Sequence, residues 1–206
     1  MIVIIRVRRP TDGDPLREHV QVKGIIFTEL IDFIERHASI VVTEKIIERA
    51  GLEKSGAFTS VGDYPHEEAL KLVTAAAVTL DTRPEDLMRQ FGAELFDHLL
   101  SSHRDFLGEQ PDNVLAFLNS LQTHIHNEVA KLYPNANPPF VSTRTEGGKI
   151  IVSYESHRPF ALIALGLIEG CCAHFDQSLR VHWDENLGAD DSSAQFTITN
   201  NSNKLP

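Results

Sequence analysis

Lys149-Ile150-Ile151-Val152-Ser153-Tyr154-Glu155-Ser156-His157-Arg158, followed by Pro159, is the stretch on which the reading of this chain turns. With Phe140 to Arg144 before it and Gly147-Gly148 between, it forms a hairpin signal, predicting strands over 140–144 and 149–157. Residues two apart on a strand point to the same side, so Tyr154, Ser156 and Arg158 are expected to converge. A planar Arg fork matches a carboxylate bidentately, and hydroxyls can donate to neighbouring oxygens. The set suits a ligand carrying two carboxylates, such as haem with its propionates. The plain alternative is an exposed strand face with a surface ion pair, worth little energetically.

Upstream, Asp112 is expected to start a helix on which Val114, Leu118, Leu121, Ile125 and Val129 make an apolar stripe. His126 sits at the edge of that stripe, one turn from Gln122, so its imidazole can face the interior. A neutral imidazole is a ligand for iron. A lone helical His is more often a capped or exposed residue, and the chain has 10 of them. His124 and His126 do not form a joint metal site on a regular helix, because positions two apart face different directions.

Before this helix the chain reads as helical. Ile26, Phe27, Leu30, Ile31, Phe33 and Ile34 predict a helix over 24–37; Thr43 is expected to open a second that Gly51 closes. Further helix signals are Asp63-x-Pro65, ahead of Leu70, Leu72 and Val73, and the capping box Thr82-x-x-Glu85, ahead of Leu87, Met88, Phe91 and Leu95. After Pro159, the apolar run 160–168 is too short for a membrane span and reads as a buried helix. Leu179 to Trp183 and Gln195 to Thr199 read as strands joined by an acidic loop. The expected class is α+β: a mainly helical part over about 22–135, then an antiparallel sheet with helices over about 136–200, enclosing the ligand.

At 206 residues the chain allows one domain with a sizeable core. A net charge of -10, with 19 basic residues outnumbered by 29 acidic ones, argues against nucleic acid as a partner. The two cysteines, Cys171 and Cys172, are adjacent, which gives no disulfide framework and no C-x-x-C motif; they are expected to pack as small apolar residues. Without C-x-x-C-H, haem would be held non-covalently, as haem b. The charges of the first residues follow the short apolar run Ile2 to Ile5, unlike an export signal, so a cytoplasmic protein is the default. Residues 1–21 are expected to be a tail or a mispredicted start, and 201–206 a tail.

His126-x-Glu128-Val129-x-Lys131-Leu132-Tyr133, Pro138-Pro139, Tyr154-x-Ser156-x-Arg158 and Gly166-Leu167-Ile168-Glu169-Gly170, with Val22-Lys23-Gly24-Ile25-Ile26-Phe27 and Tyr64-Pro65-His66-Glu67-Glu68 upstream, resemble the haem nitric oxide/oxygen binding (H-NOX) family. This is the sensor module that also forms the haem-binding part of soluble guanylate cyclase. The resemblance runs from Val22, where members open Met-Lys-Gly, to about Asn200. It implies His126 as iron ligand, Tyr154, Ser156 and Arg158 as propionate ligands, and Pro139 as the proline that presses on the macrocycle. Where oxygen-binding members carry a Tyr supported by Trp and Asn, this chain has Ile163, Leu30 and Leu95; Ile26 and Leu167 join them in the pocket lining. Some relatives add a zinc site near the C-terminus, but beside His182 the companion cysteines are missing.

Dioxygen on ferrous haem draws negative charge and gains from a donor, whereas nitric oxide binds without one. The apolar triad therefore implies a protein that excludes oxygen and retains nitric oxide and carbon monoxide. An oxygen-binding haem sensor and a haem-free small-molecule module of related fold are the alternatives. Peroxidase chemistry is not expected, since no distal His or Arg is matched. Because the resemblance takes up residues 22–200, output is expected in trans, through a histidine kinase or a diguanylate cyclase/phosphodiesterase. Nitric oxide opposite His126 would weaken the iron–His bond and shift the helical half against the strand half.

Overall fold

The computed structural model describes residues 20–53, 55–102, 111–133, 135–184 and 191–200. Residues 1–19 of the expected tail over 1–21, the expected tail over 201–206, and most of the acidic loop lie outside these residues.

Strand β1 (Gln21–Lys23) pairs antiparallel with β2 (Asp63–Pro65), Gln21 opposite Pro65 and Lys23 opposite Asp63. Asp63-x-Pro65 is thus a strand rather than the first turn of a helix, and β1 takes in Gln21, one residue upstream of the expected start. Between them run α1 (Ile25–His37) and α2 (Ile40–Ala50). Ser39, not Thr43, caps α2: the Ser39 hydroxyl accepts from Val42 N, while Thr43 lies one turn inside and donates to the Ser39 carbonyl. The β-extended backbone of Ser39 is the geometry an N-cap needs.

Helix α3 (His66–Leu80) leads to α4 (Pro84–Ser102). The Thr82 capping box is replaced by Pro84 at the first helical position, suited by its fixed φ, and by Arg83 gripping Asp86 at 2.7 and 2.6 Å. The faces of α1, α3 and α4 enclose one core around Phe27, Leu30, Phe33, Leu72 and Phe91.

The second core lies between a sheet and α7 (Ala161–Phe175). Strands β3 (Phe140–Glu146), β4 (Lys149–Glu155), β5 (Leu179–Asp184) and β6 (Ser193–Asn200) are ordered β3-β4-β6-β5, all antiparallel. Gly147 and Gly148, both at positive φ (56° and 72°), make the two-residue turn. Strand β4 ends at Glu155, two residues short of the expected 157. Its last ladder partner is Ser193; after Ser156 N donates to the Ser192 carbonyl, the Ser156 hydroxyl accepts from Arg158 N and turns the chain.

Helices α4 and α7 join the two cores. A methyl group on Gly166 would lie 2.0 Å from the Arg89 carbonyl oxygen, and one on Gly92 would lie 2.2 Å from that of Ile163. Only glycines permit this approach. Cys171 and Cys172 are buried on α7, and burial raises both thiol pKa values, as expected of packing residues.

Candidate functional site

The helix expected to run unbroken from Asp112 is three pieces: α5 (Val114–Ser120), a π-helical turn (Leu121–Ile125) and α6, which His126 opens and Leu132 ends. Asn113, one residue after Asp112, is the cap, its side chain accepting from Ala116 N at 2.9 Å. A π-turn holds one residue more than an α-turn and so resets the facing of whatever follows. Two side chains tie this segment to edge strand β3: Thr143 Oγ1 donates to Asn119 Oδ1 at 2.5 Å, and Val141 N donates to Gln122 Oε1 at 3.2 Å. The second satisfies an edge N–H, and both lie just ahead of His126. His124 is exposed, on another side, so the paired-ligand reading gains nothing.

The imidazole of His126 is largely buried, and its Nδ1 has no hydrogen-bond partner. Burial pushes its pKa down to about 4, with the backbone of Pro139 acting in the opposite sense. It is therefore neutral at physiological pH, and a neutral imidazole with an unpaired ring nitrogen offers what a metal takes. An orphaned buried nitrogen is otherwise costly.

From Pro139 the chain backs up to Ala136 and Asn137, whose carbonyls reach Arg158. Buried Arg158 donates through Nη2 to the Ala136 carbonyl at 2.8 Å and through Nη1 to that of Asn137 at 2.8 Å. Its Nε donates to the Gln21 carbonyl at 2.8 Å, and Nη2 donates there too. The side chains of Tyr154, Ser156 and Arg158 do converge, although only Tyr154 belongs to the strand. Burial raises the Tyr154 pKa, while a hydrogen bond to Ser156 and the charge of Arg158 oppose that rise. Burial likewise lowers the Arg158 pKa, with Tyr154 and Asp63 opposing. Asp63 is itself paired with Lys23 at 2.7 Å.

The apolar residues meet elsewhere. Leu30 on α1, Leu95 on α4 and Ile163 on α7 are 1%, 3% and 6% exposed and share one core, with Ile26 against it. Leu167 packs against both cores. The buried phenol of that first core, Tyr64, accepts from Thr59 N at 2.9 Å. Leu30, Leu95 and Ile163 themselves offer no side-chain donor.

Sequence reasoning did not find Asn119, nor the role of Gln122, nor the carbonyls that hold Arg158.

The haem-NO-binding family matches residues 23–183. The chain belongs to this family, H-NOX. An H-NOX protein of K. algicida, solved Fe(II) and unliganded, is 30% identical, with a TM-score of 0.78 over 87% of this chain and 97% of that one. The S. oneidensis protein in the Fe(II)NO ligation state is 27% identical (TM-score 0.76; 87% and 99% covered). That of Shewanella woodyi in the Fe(II)CO state is 30% identical (TM-score 0.73; 89% and 96%). No curated protein matches. H-NOX proteins are haem-binding gas sensors, and the mixed helical and antiparallel architecture here is theirs. No described helix is long and apolar enough to cross a membrane.

The residues present fit a haem. His126 offers a buried imidazole, neutral at physiological pH, whose Nδ1 has no hydrogen-bond partner, while Tyr154, Ser156 and Arg158 group hydroxyls with a cation.

Proposed function

We propose that this H-NOX protein is a nitric oxide sensor that holds non-covalent haem b through His126 and passes its signal to a separate protein. The observation that carries the reading is the His126 imidazole, neutral by burial and with Nδ1 unpartnered. Haem, when bound, supplies a ferrous iron able to take a diatomic gas. The chain's residues supply the rest. His126 would hold the iron through an imidazole nitrogen, Arg158, Ser156 and Tyr154 would neutralise and orient the propionates, and Pro139, beside His126, would pack against the haem. Leu30, Leu95, Ile163, Ile26 and Leu167 keep the gas side dry.

Nitric oxide is the preferred ligand in this reading because Leu30, Leu95 and Ile163 would offer no side-chain donor to a polar ligand. Output through a histidine kinase or a diguanylate cyclase/phosphodiesterase follows the resemblance. The link between His126 and the sheet runs through Gln122 and Asn119 to β3, so a shift of that helix is passed to the hairpin.

The test is the spectrum of the reduced protein. Nitric oxide and carbon monoxide should each give a complex, and exposure to air should give no lasting one. A persistent oxygen complex would overturn the nitric oxide reading in favour of an oxygen sensor.

A further inference from the structure

Arg158 has five N–H donors, and four already end on backbone carbonyls. Nε and Nη2 both donate to the carbonyl of Gln21. That pair forms one edge of the guanidinium fork, a geometry that grips a carboxylate bidentately. Gln21 lies upstream of the family match, which begins at Lys23. The residue before it is fastened too: His66 donates to the Val20 carbonyl through its backbone N at 3.2 Å and its Nδ1 at 3.0 Å.

We propose that Val20–Gln21 is a strap over Arg158, its Gln21 carbonyl standing in for a carboxylate that displaces it when haem docks. The inference rests on the haem reading above. A buried guanidinium left unpaired is costly, so in the haem-free protein the strap stays seated. A carboxylate accepts from the same fork with charge assistance, roughly twice as strongly as a neutral carbonyl, and so wins when present. The carbonyls of Ala136 and Asn137 can stay in place, keeping Arg158 tied to the segment that leads to Pro139 and His126. The position of Val20–Gln21 is thereby coupled to haem occupancy.

Amide hydrogen exchange on the full chain, haem-free and haem-loaded, tests this. Loading should speed exchange over residues 20–23 about tenfold, the change that about one lost hydrogen bond brings, while the β3–β4 hairpin does not speed up. His66→Ala removes one tether of Val20 and leaves Arg158 untouched; it should make haem uptake several-fold faster in stopped-flow mixing. Exchange over 20–23 that is unchanged or slowed by haem overturns the strap, as does parental uptake in His66→Ala, with haem binding itself intact. If the parent takes up no haem at all, the haem reading falls and takes the strap with it.

Discussion

Acid should unfold the haem-free protein partly through a single side chain. His126 carries a folded pKa of about 4 against an ordinary 6.5. Above pH 6.5 the imidazole is neutral whether folded or not, and contributes nothing. Below that, the unfolded chain takes up a proton the folded chain refuses, so stability falls with pH through this window and levels off below about 4. The full gap corresponds to about 3 kcal/mol, most of which is already lost at pH 4.5. Carboxylates titrate in the same range, so the quantity to measure is a difference. Urea unfolding of haem-free parent and His126→Gln at pH 7 and pH 4.5 isolates it. The parent should lose about 2–3 kcal/mol more than the variant across that interval. Equal losses would show that the imidazole is solvated when folded, and would remove the ground on which it is assigned to iron.

In the haem-loaded protein, His126→Ala should change the ferrous spectrum by loss of the axial nitrogen, and imidazole in solution should restore it; an unchanged spectrum refutes the ligand. Arg158→Ala should speed haem transfer to an apo-globin more than Ser156→Ala, since a charge-assisted contact is worth about 1.5–3 kcal/mol against about 0.5–1.5 for a neutral one; equal rates count against a propionate role for Arg158. Ile163→Tyr should bring a phenol to the distal side and confer oxygen binding in air through about one hydrogen bond, unless the larger ring closes the pocket, which carbon monoxide binding would report. Gly166→Ala should lower the midpoint of thermal unfolding, because its methyl meets the Arg89 carbonyl oxygen at 2.0 Å and α4 and α7 must separate; the cost is about 1–3 kcal/mol, and an unshifted midpoint would deny the close crossing.

What could be read from the sequence, and what could not, divides along a physical line. Apolar periodicity located α1, the run opening α7 and the sheet strands, because burial requires it. Leu30, Leu95 and Ile163, distant in sequence, were brought together only by the family resemblance, and they share one core. Ends were harder. Thr43 and Thr82 have the chemistry of caps, yet Ser39 and Pro84 lie nearer the true starts, since capping depends on backbone conformation as well as residue type. The two-stranded pair β1–β2 escaped because three residues are too few to show alternation. At the site the gap matters most. Tyr154, Ser156, Arg158 and His126 declare their chemistry as side chains, but what Arg158 holds is backbone: Gln21, Ala136 and Asn137 contribute carbonyls that any residue would possess. A partner that carries no residue signature is invisible to motif reading however specific the motif. It follows that the spacing Tyr-x-Ser-x-Arg describes which groups can grip an anion, while the chain on either side, over 20–21 and 136–139, decides how much of that grip is free.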